Sequence, residues 1–172
     1  MNLPNKLTLI RIALVPVCLI MLALGWSIPA ALVFAAASIT DFVDGYLARR
    51  DNLVTNFGKF ADPIADKILT LSMMILMAQK GLLPVWLPII VAVRELAVDG
   101  LRLIAVEQGK VVAAGMSGKI KTAMQMTTII YCCVFQNVLG LILSIIVAAL
   151  TIYSGIEYFV QLKDLFKKDL KG

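Results

Sequence analysis

Apolar residues run through this chain in long unbroken stretches, and polar residues gather between them. No charged residue occurs between Arg11 and Asp41 or between Lys121 and Glu157, which leaves gaps of 29 and 35 residues. A membrane-crossing helix takes roughly 20 residues, so each gap holds most or all of two crossings. Turn-forming residues break the pattern at Gly25-Trp26-Ser27-Ile28-Pro29, at Lys80-Gly81-Leu82-Leu83-Pro84 and over 136–140. A polar link falls at 51–56 and a glycine-punctuated one at 108–118. The pattern predicts helices at about 7–24, 29–50, 57–79, 85–107, 119–135 and 141–162, then a basic tail with Lys163, Lys167, Lys168 and Lys171. The expected fold is an all-α integral membrane protein of six transmembrane helices, in one domain over 1–172.

Charge orients that bundle. Lys6, Arg11, Arg49, Arg50, Lys59, Lys67, Arg102, Lys110, Lys119, Lys121 and the tail lysines all fall at one set of helix ends. Only Lys80 sits in an opposite turn, and Arg94 lies within a span. Basic residues favour the cytoplasmic side, so both termini and the 51–56 and 108–118 links are expected there. No small-residue cleavage site follows the first apolar run, so no cleaved signal peptide is expected.

Composition agrees and removes other classes. The chain is 60% hydrophobic and 16% charged, whereas a soluble domain is about half apolar and a quarter charged. Disorder, a nucleic-acid-binding arm and a disulfide scaffold are excluded on that balance. The net charge of +5 fits loops facing anionic lipid and implies no nucleic acid. The chain has no histidine, which removes imidazole catalysis and His-ligated metals. Cys18, Cys132 and Cys133 lie in apolar segments without ligand spacing and read as buried, reduced thiols.

Acidic side chains in a span cost about 2.5–3.5 kcal/mol each on insertion scales, so they need a reason. Asp41 and Asp44 stand near the end of the second helix, Asp62 and Asp66 near the start of the third. Spacings of three and four residues put each pair on one face, and the short link makes the two helices expected neighbours. Four carboxylates meeting at one depth repel unless cations neutralise them. With only oxygen donors at hand, Mg²⁺ or Mn²⁺ is the natural choice, and two such ions suit phosphoryl transfer. The bland counterpart is that these aspartates cap helices or pair with Arg49, Lys59 and Lys67. Gly45, Ala48 and Gly58 accompany the acids. They let a flat ligand approach the backbone, with Arg49 meeting a ligand phosphate, or they serve close helix packing. Arg94 either receives a phosphate or pairs with Glu95 or Asp99, and Lys119 and Lys121 either do the same or touch lipid headgroups.

Together the stretch reads Asp41-x2-Asp44-Gly45-x2-Ala48-Arg49-x8-Gly58-x3-Asp62-x3-Asp66, and at every defining position it resembles the signature of the CDP-alcohol phosphotransferases. That resemblance implies a six-helix membrane enzyme, a homodimer, with two divalent cations held by Asp41, Asp44, Asp62 and Asp66. It implies Asp66 as general base, with Asp44, Gly45, Ala48, Arg49 and Gly58 at the CDP moiety. The segments Asn2 to Arg11, Arg94-Glu95-Leu96 with Leu101-Arg102, and Ser117 to Thr122 are similar to the bacterial branch whose acceptor is sn-glycerol 3-phosphate. Arg94, Lys119 and Lys121 are the candidates for the acceptor phosphate. The reaction implied is transfer of a phosphatidyl group from CDP-diacylglycerol, with release of CMP, in the bacterial cytoplasmic membrane and with the active site facing the cytoplasm. A sister enzyme with another acceptor, making cardiolipin or phosphatidylinositol phosphate, is the alternative. A divalent-cation transporter fits less well, because transporters place their sites near the midplane and these acids cluster toward one face.

Overall fold

The computed structural model describes the backbone of residues 3–50, 56–109 and 115–169, and the side chains of 7–40, 61–109 and 115–163. The chain is all-helical there. Six helices follow in order: α1 (Leu3–Ala23), α2 (Ser27–Arg50), α3 (Asn56–Gln79), α4 (Trp86–Glu107), α5 (Met116–Val134) and α6 (Val138–Asp169).

Helix number and order match the apolar pattern, and several ends differ. α1 begins four residues earlier than expected, taking in Pro4, which a first helical turn tolerates because its N–H would be orphaned anyway. α5 begins at Met116, so Ser117 and Gly118 are helical and do not belong to the link. α6 continues to Asp169, so the stretch expected as a basic tail is mostly helix. Lysine and leucine are good helix formers, and charge alone does not stop a helix.

α1 and α3 end in the same way. Gly25 and Gly81 adopt φ of 85° and 73°, a left-handed conformation that glycine takes without strain. The N–H of Gly25 reaches Leu22 O at 3.1 Å and that of Trp26 reaches Met21 O at 2.9 Å. Gly81 and Leu82 repeat the pair onto Ala78 and Met77. These paired bonds close the last carbonyls of a helix and reverse the chain.

α1 lies against both α2 and α3, α6 against both α4 and α5, and α2 meets α5 to join the halves. The core holds Leu22, Phe34, Leu69, Met73, Met74, Met77, Leu87, Val91, Ile129 and Val147, each buried. Cys132 and Cys133 are both buried and free, and they face different neighbours: Gly140 and Met77 respectively. Buried hydroxyls turn back on their own helices, Thr128 to Met124 O, Ser144 to Gly140 O and Thr151 to Val147 O. Such bonds satisfy polar groups where water is absent.

The outer surface is apolar. Leu32, Ile39, Val93, Leu96, Leu103, Ile145, Ile152 and Ile156 are all exposed, a pattern that marks a lipid-facing or partner-facing surface. Among the described residues, α6 over Val138–Lys163 is long and apolar enough to cross a membrane, while the apolar stretches Leu7–Ala23 and Ser27–Thr40 are shorter.

Candidate functional site

Side-chain contacts join the start of α3, the later half of α4 and the start of α5 at one end of the bundle. Two cross-helix contacts tie that end together: Thr8 on α1 donates its hydroxyl to Asp62 Oδ1 on α3, and Lys67 on α3 pairs with Asp99 on α4. At the opposite end Lys80 Nζ donates to Ala23 O at 3.0 Å.

Asp62 and Asp66 stand one turn apart near the start of α3, both half-buried, beside the inward-packed Ala61 and Ala65. Thr8 is buried, and its bond fixes the orientation of the Asp62 carboxylate. Arg11, one turn beyond Thr8, is 2% exposed, a full cation in the interior near the same end. Asp41, Asp44, Gly45, Ala48 and Arg49 fall on α2, and Gly58 on α3; their side chains lie outside the described residues. Asp62 and Asp66 supply hard oxygen donors at i and i+4, which suits Mg²⁺ or Mn²⁺. Among the described residues no three metal-ligating side chains gather at one point.

The acceptor candidates separate. Arg94 and Lys121 meet at Glu95: Arg94 Nη1 is 3.3 Å from Glu95 Oε1, and Lys121 Nζ donates to that same oxygen. Lys67 joins them, 3.7 Å from Glu95 Oε2 while also pairing with Asp99. Cations from α3, α4 and α5 thus converge on one carboxylate, and Lys121 is 3% exposed. Asp66 lies within electrostatic reach of Lys121. Lys119, two residues earlier, is exposed and stands away from the cluster, as a 200° step around a helix requires. Of the two acids open to Arg94, the structure pairs it with Glu95, and Lys67 takes Asp99.

Glycine makes room for the Arg94 side chain. A Cβ on Gly155 would stand 3.3 Å from Arg94 Cγ, and one on Gly118 would touch its Nη2 at 3.6 Å. Beyond Arg94 an apolar groove of about 340 Å³ opens between α4 and α6, lined by Ile89, Val93, Ile152 and Phe159.

Three features of this end carried weaker signals in the sequence. Thr8 and Arg11 share a face of an apolar helix, where a buried cation is costly. Glu95 reads as a partner of Arg94 alone until the fold brings Lys67 and Lys121 to it. Glu157, the first charge after 35 uncharged residues, accepts a hydrogen bond from Ser117 across α5 and α6.

A carboxylate pair and a cluster of cations are the kinds of group that phosphate chemistry uses. The chain belongs to the CDP-alcohol phosphatidyltransferase family, whose description matches residues 1–153. It is similar to the CDP-diacylglycerol–glycerol-3-phosphate 3-phosphatidyltransferase of Bacillus subtilis, 51% identical over 143 residues, covering 74% of each chain. Proteins of the same name from Rickettsia typhi and Shigella flexneri are 37% and 38% identical. The first alignment covers 96% of this chain and 99% of the relative, and the second covers 91% and 92%.

Proposed function

We propose that the protein transfers the phosphatidyl group of CDP-diacylglycerol to sn-glycerol 3-phosphate, giving phosphatidylglycerophosphate and CMP. The observation that carries this is the convergence of Lys67, Arg94 and Lys121 on Glu95 within reach of Asp66. A second, phosphorylated substrate needs such cations, because charge-assisted contacts from ammonium and guanidinium groups select phosphate.

Asp41, Asp44, Asp62 and Asp66 would hold two divalent cations, Mg²⁺ or Mn²⁺, which when bound neutralise the diphosphate of CDP-diacylglycerol. Gly45, Ala48 and Gly58 leave space for the CDP moiety, and Arg49 offers it a cation. Arg94 and Lys121 orient the acceptor phosphate, so that its free hydroxyl faces the lipid-linked phosphorus. Asp66 takes the hydroxyl proton as the new P–O bond forms and the bond to CMP breaks, with the electron pair leaving on CMP. Thr8 holds Asp62 in place throughout.

The chain crosses the bacterial cytoplasmic membrane six times, with both termini and the active site on the cytoplasmic side, and works as a homodimer. The exposed isoleucines, leucines and valines on its helices support the membrane setting, and the gathering of basic residues at one end supports the orientation. The purified protein tests the reaction. Given CDP-diacylglycerol and, separately, glycerol 3-phosphate, inositol phosphate, serine or phosphatidylglycerol, it releases CMP with glycerol 3-phosphate. Release with a different acceptor would replace that substrate, and release with none would remove the activity.

A further inference from the structure

Tyr158 lies on α6 at the site end of the bundle and is 2% exposed. Two guanidinium groups face its ring: Cζ of Arg94 stands 5.5 Å from the centroid and Cζ of Arg102 stands 5.1 Å from it. Its hydroxyl oxygen accepts a hydrogen bond from Arg102 Nη2 at 2.6 Å and another from the backbone N–H of Gly115 at 3.2 Å. One buried side chain therefore touches two cations of α4 and the residue just before α5. A Cβ on Gly118 would lie 4.0 Å from the tyrosine ring, in contact, so the small residue lets α5 close over it.

Both arginines keep donor capacity in reserve. The Nε of Arg94 and the Nε of Arg102 are buried and meet no acceptor among the described residues. A buried guanidinium nitrogen without an acceptor is costly, and an arriving anion relieves that cost. Arginine is a long side chain, and freezing it at the moment of binding opposes association. Stacking on a ring freezes it beforehand.

We propose that Tyr158 is a positioning residue for the acceptor phosphate, holding Arg94 by stacking and Arg102 by stacking and a hydrogen bond. Arg102 thereby joins Arg94 and Lys121 as a cation of the acceptor site. The proposal rests on the reading of that site given above.

The test is a pair of KM measurements on Tyr158→Phe and Tyr158→Leu, for glycerol 3-phosphate and for CDP-diacylglycerol. Tyr158→Phe keeps the stacked rings and removes the oxygen, so the acceptor KM rises about 3- to 10-fold, the size of one hydrogen bond. Tyr158→Leu removes stacking as well, and the acceptor KM rises further. The KM for CDP-diacylglycerol stays near the wild-type value in both. A merely structural role would lower the thermal midpoint and leave the acceptor KM of the surviving enzyme unchanged. An unchanged acceptor KM in Tyr158→Phe overturns the proposal, as does an equal rise for both substrates. Arg94→Ala and Lys121→Ala separate the two levels. If they leave the acceptor KM unchanged, the acceptor site itself is misplaced; if they raise it and the tyrosine variants do not, only the role of Tyr158 falls.

Discussion

The two ends of this bundle are made by the same helices and differ in almost everything else. At one end the helices close on Leu22, Phe34, Met73, Met77, Leu87 and Cys133, with two glycine caps turning the chain. At the other, Thr8 binds Asp62, and Lys67, Arg94 and Lys121 share Glu95. There too Arg102 binds Tyr158, and Ser117 binds Glu157. A buried charge is tolerated only when partnered, and here Asp62, Lys67, Asp99 and Lys121 each take a partner from a different helix, while Arg94 takes the next residue. On the proposed reading the apolar end contributes stability and the polar end the chemistry. The polar end is assembled from five helices, with α1, α3, α4, α5 and α6 each supplying at least one of these side chains.

The comparison can be broken in several places. Asp66→Asn gives the largest effect, a fall in kcat of about 10²- to 10⁴-fold, the usual contribution of a positioned base. The check is CMP release under saturating substrates, and near-normal turnover removes Asp66 from the reaction. Thr8→Val comes next. It removes the hydroxyl that orients Asp62, and the metal concentration for half-maximal activity rises about 10-fold or more, read from a Mg²⁺ titration. At the other end Met73→Ala costs about 2–5 kcal/mol of stability through the cavity it opens. It lowers the thermal midpoint of the detergent-solubilised protein while both KM values stay within about twofold, as expected of distant sites. A comparable KM change in Met73→Ala would erase the division between the ends. Reporter fusions sharpen it topologically: Asn52 and Gly172 report the cytoplasm and Gly81 the outside.

The helices were readable because apolar runs and their glycine breaks are local features, and Gly25 and Gly81 stand where the chain turns. Helix ends were less readable: lysines past 162 look like a tail, yet they extend α6, because nothing there breaks a helix. Asp62 and Asp66 were visible through cost, since acids in apolar segments demand explanation. The partners were not. Glu95 and Asp99 are both within reach of Arg94 on one helix, and only the packing of α3 and α5 gives Asp99 to Lys67 and leaves Glu95 to bind Lys121. Lys119 and Lys121 look alike along the chain and diverge because α5 turns one outward and the other into the cluster. Tyr158 gave no sign at all, because its role lies in what α4 brings to it.

Lys121→Ala tests the central claim, that the cation cluster at the polar end seats the acceptor phosphate. Lys121 is buried and bonded to Glu95, so its loss strips the cluster of a charge in a site with little solvent to compensate. The measurement is the KM of the variant for glycerol 3-phosphate and for CDP-diacylglycerol under matched conditions. The acceptor KM rises about 10- to 100-fold, as for a lost charge-assisted contact, and the KM for CDP-diacylglycerol stays near wild type. An acceptor KM equal to wild type would contradict the claim and make Lys67, Arg94, Lys121 and Glu95 a structural ion cluster.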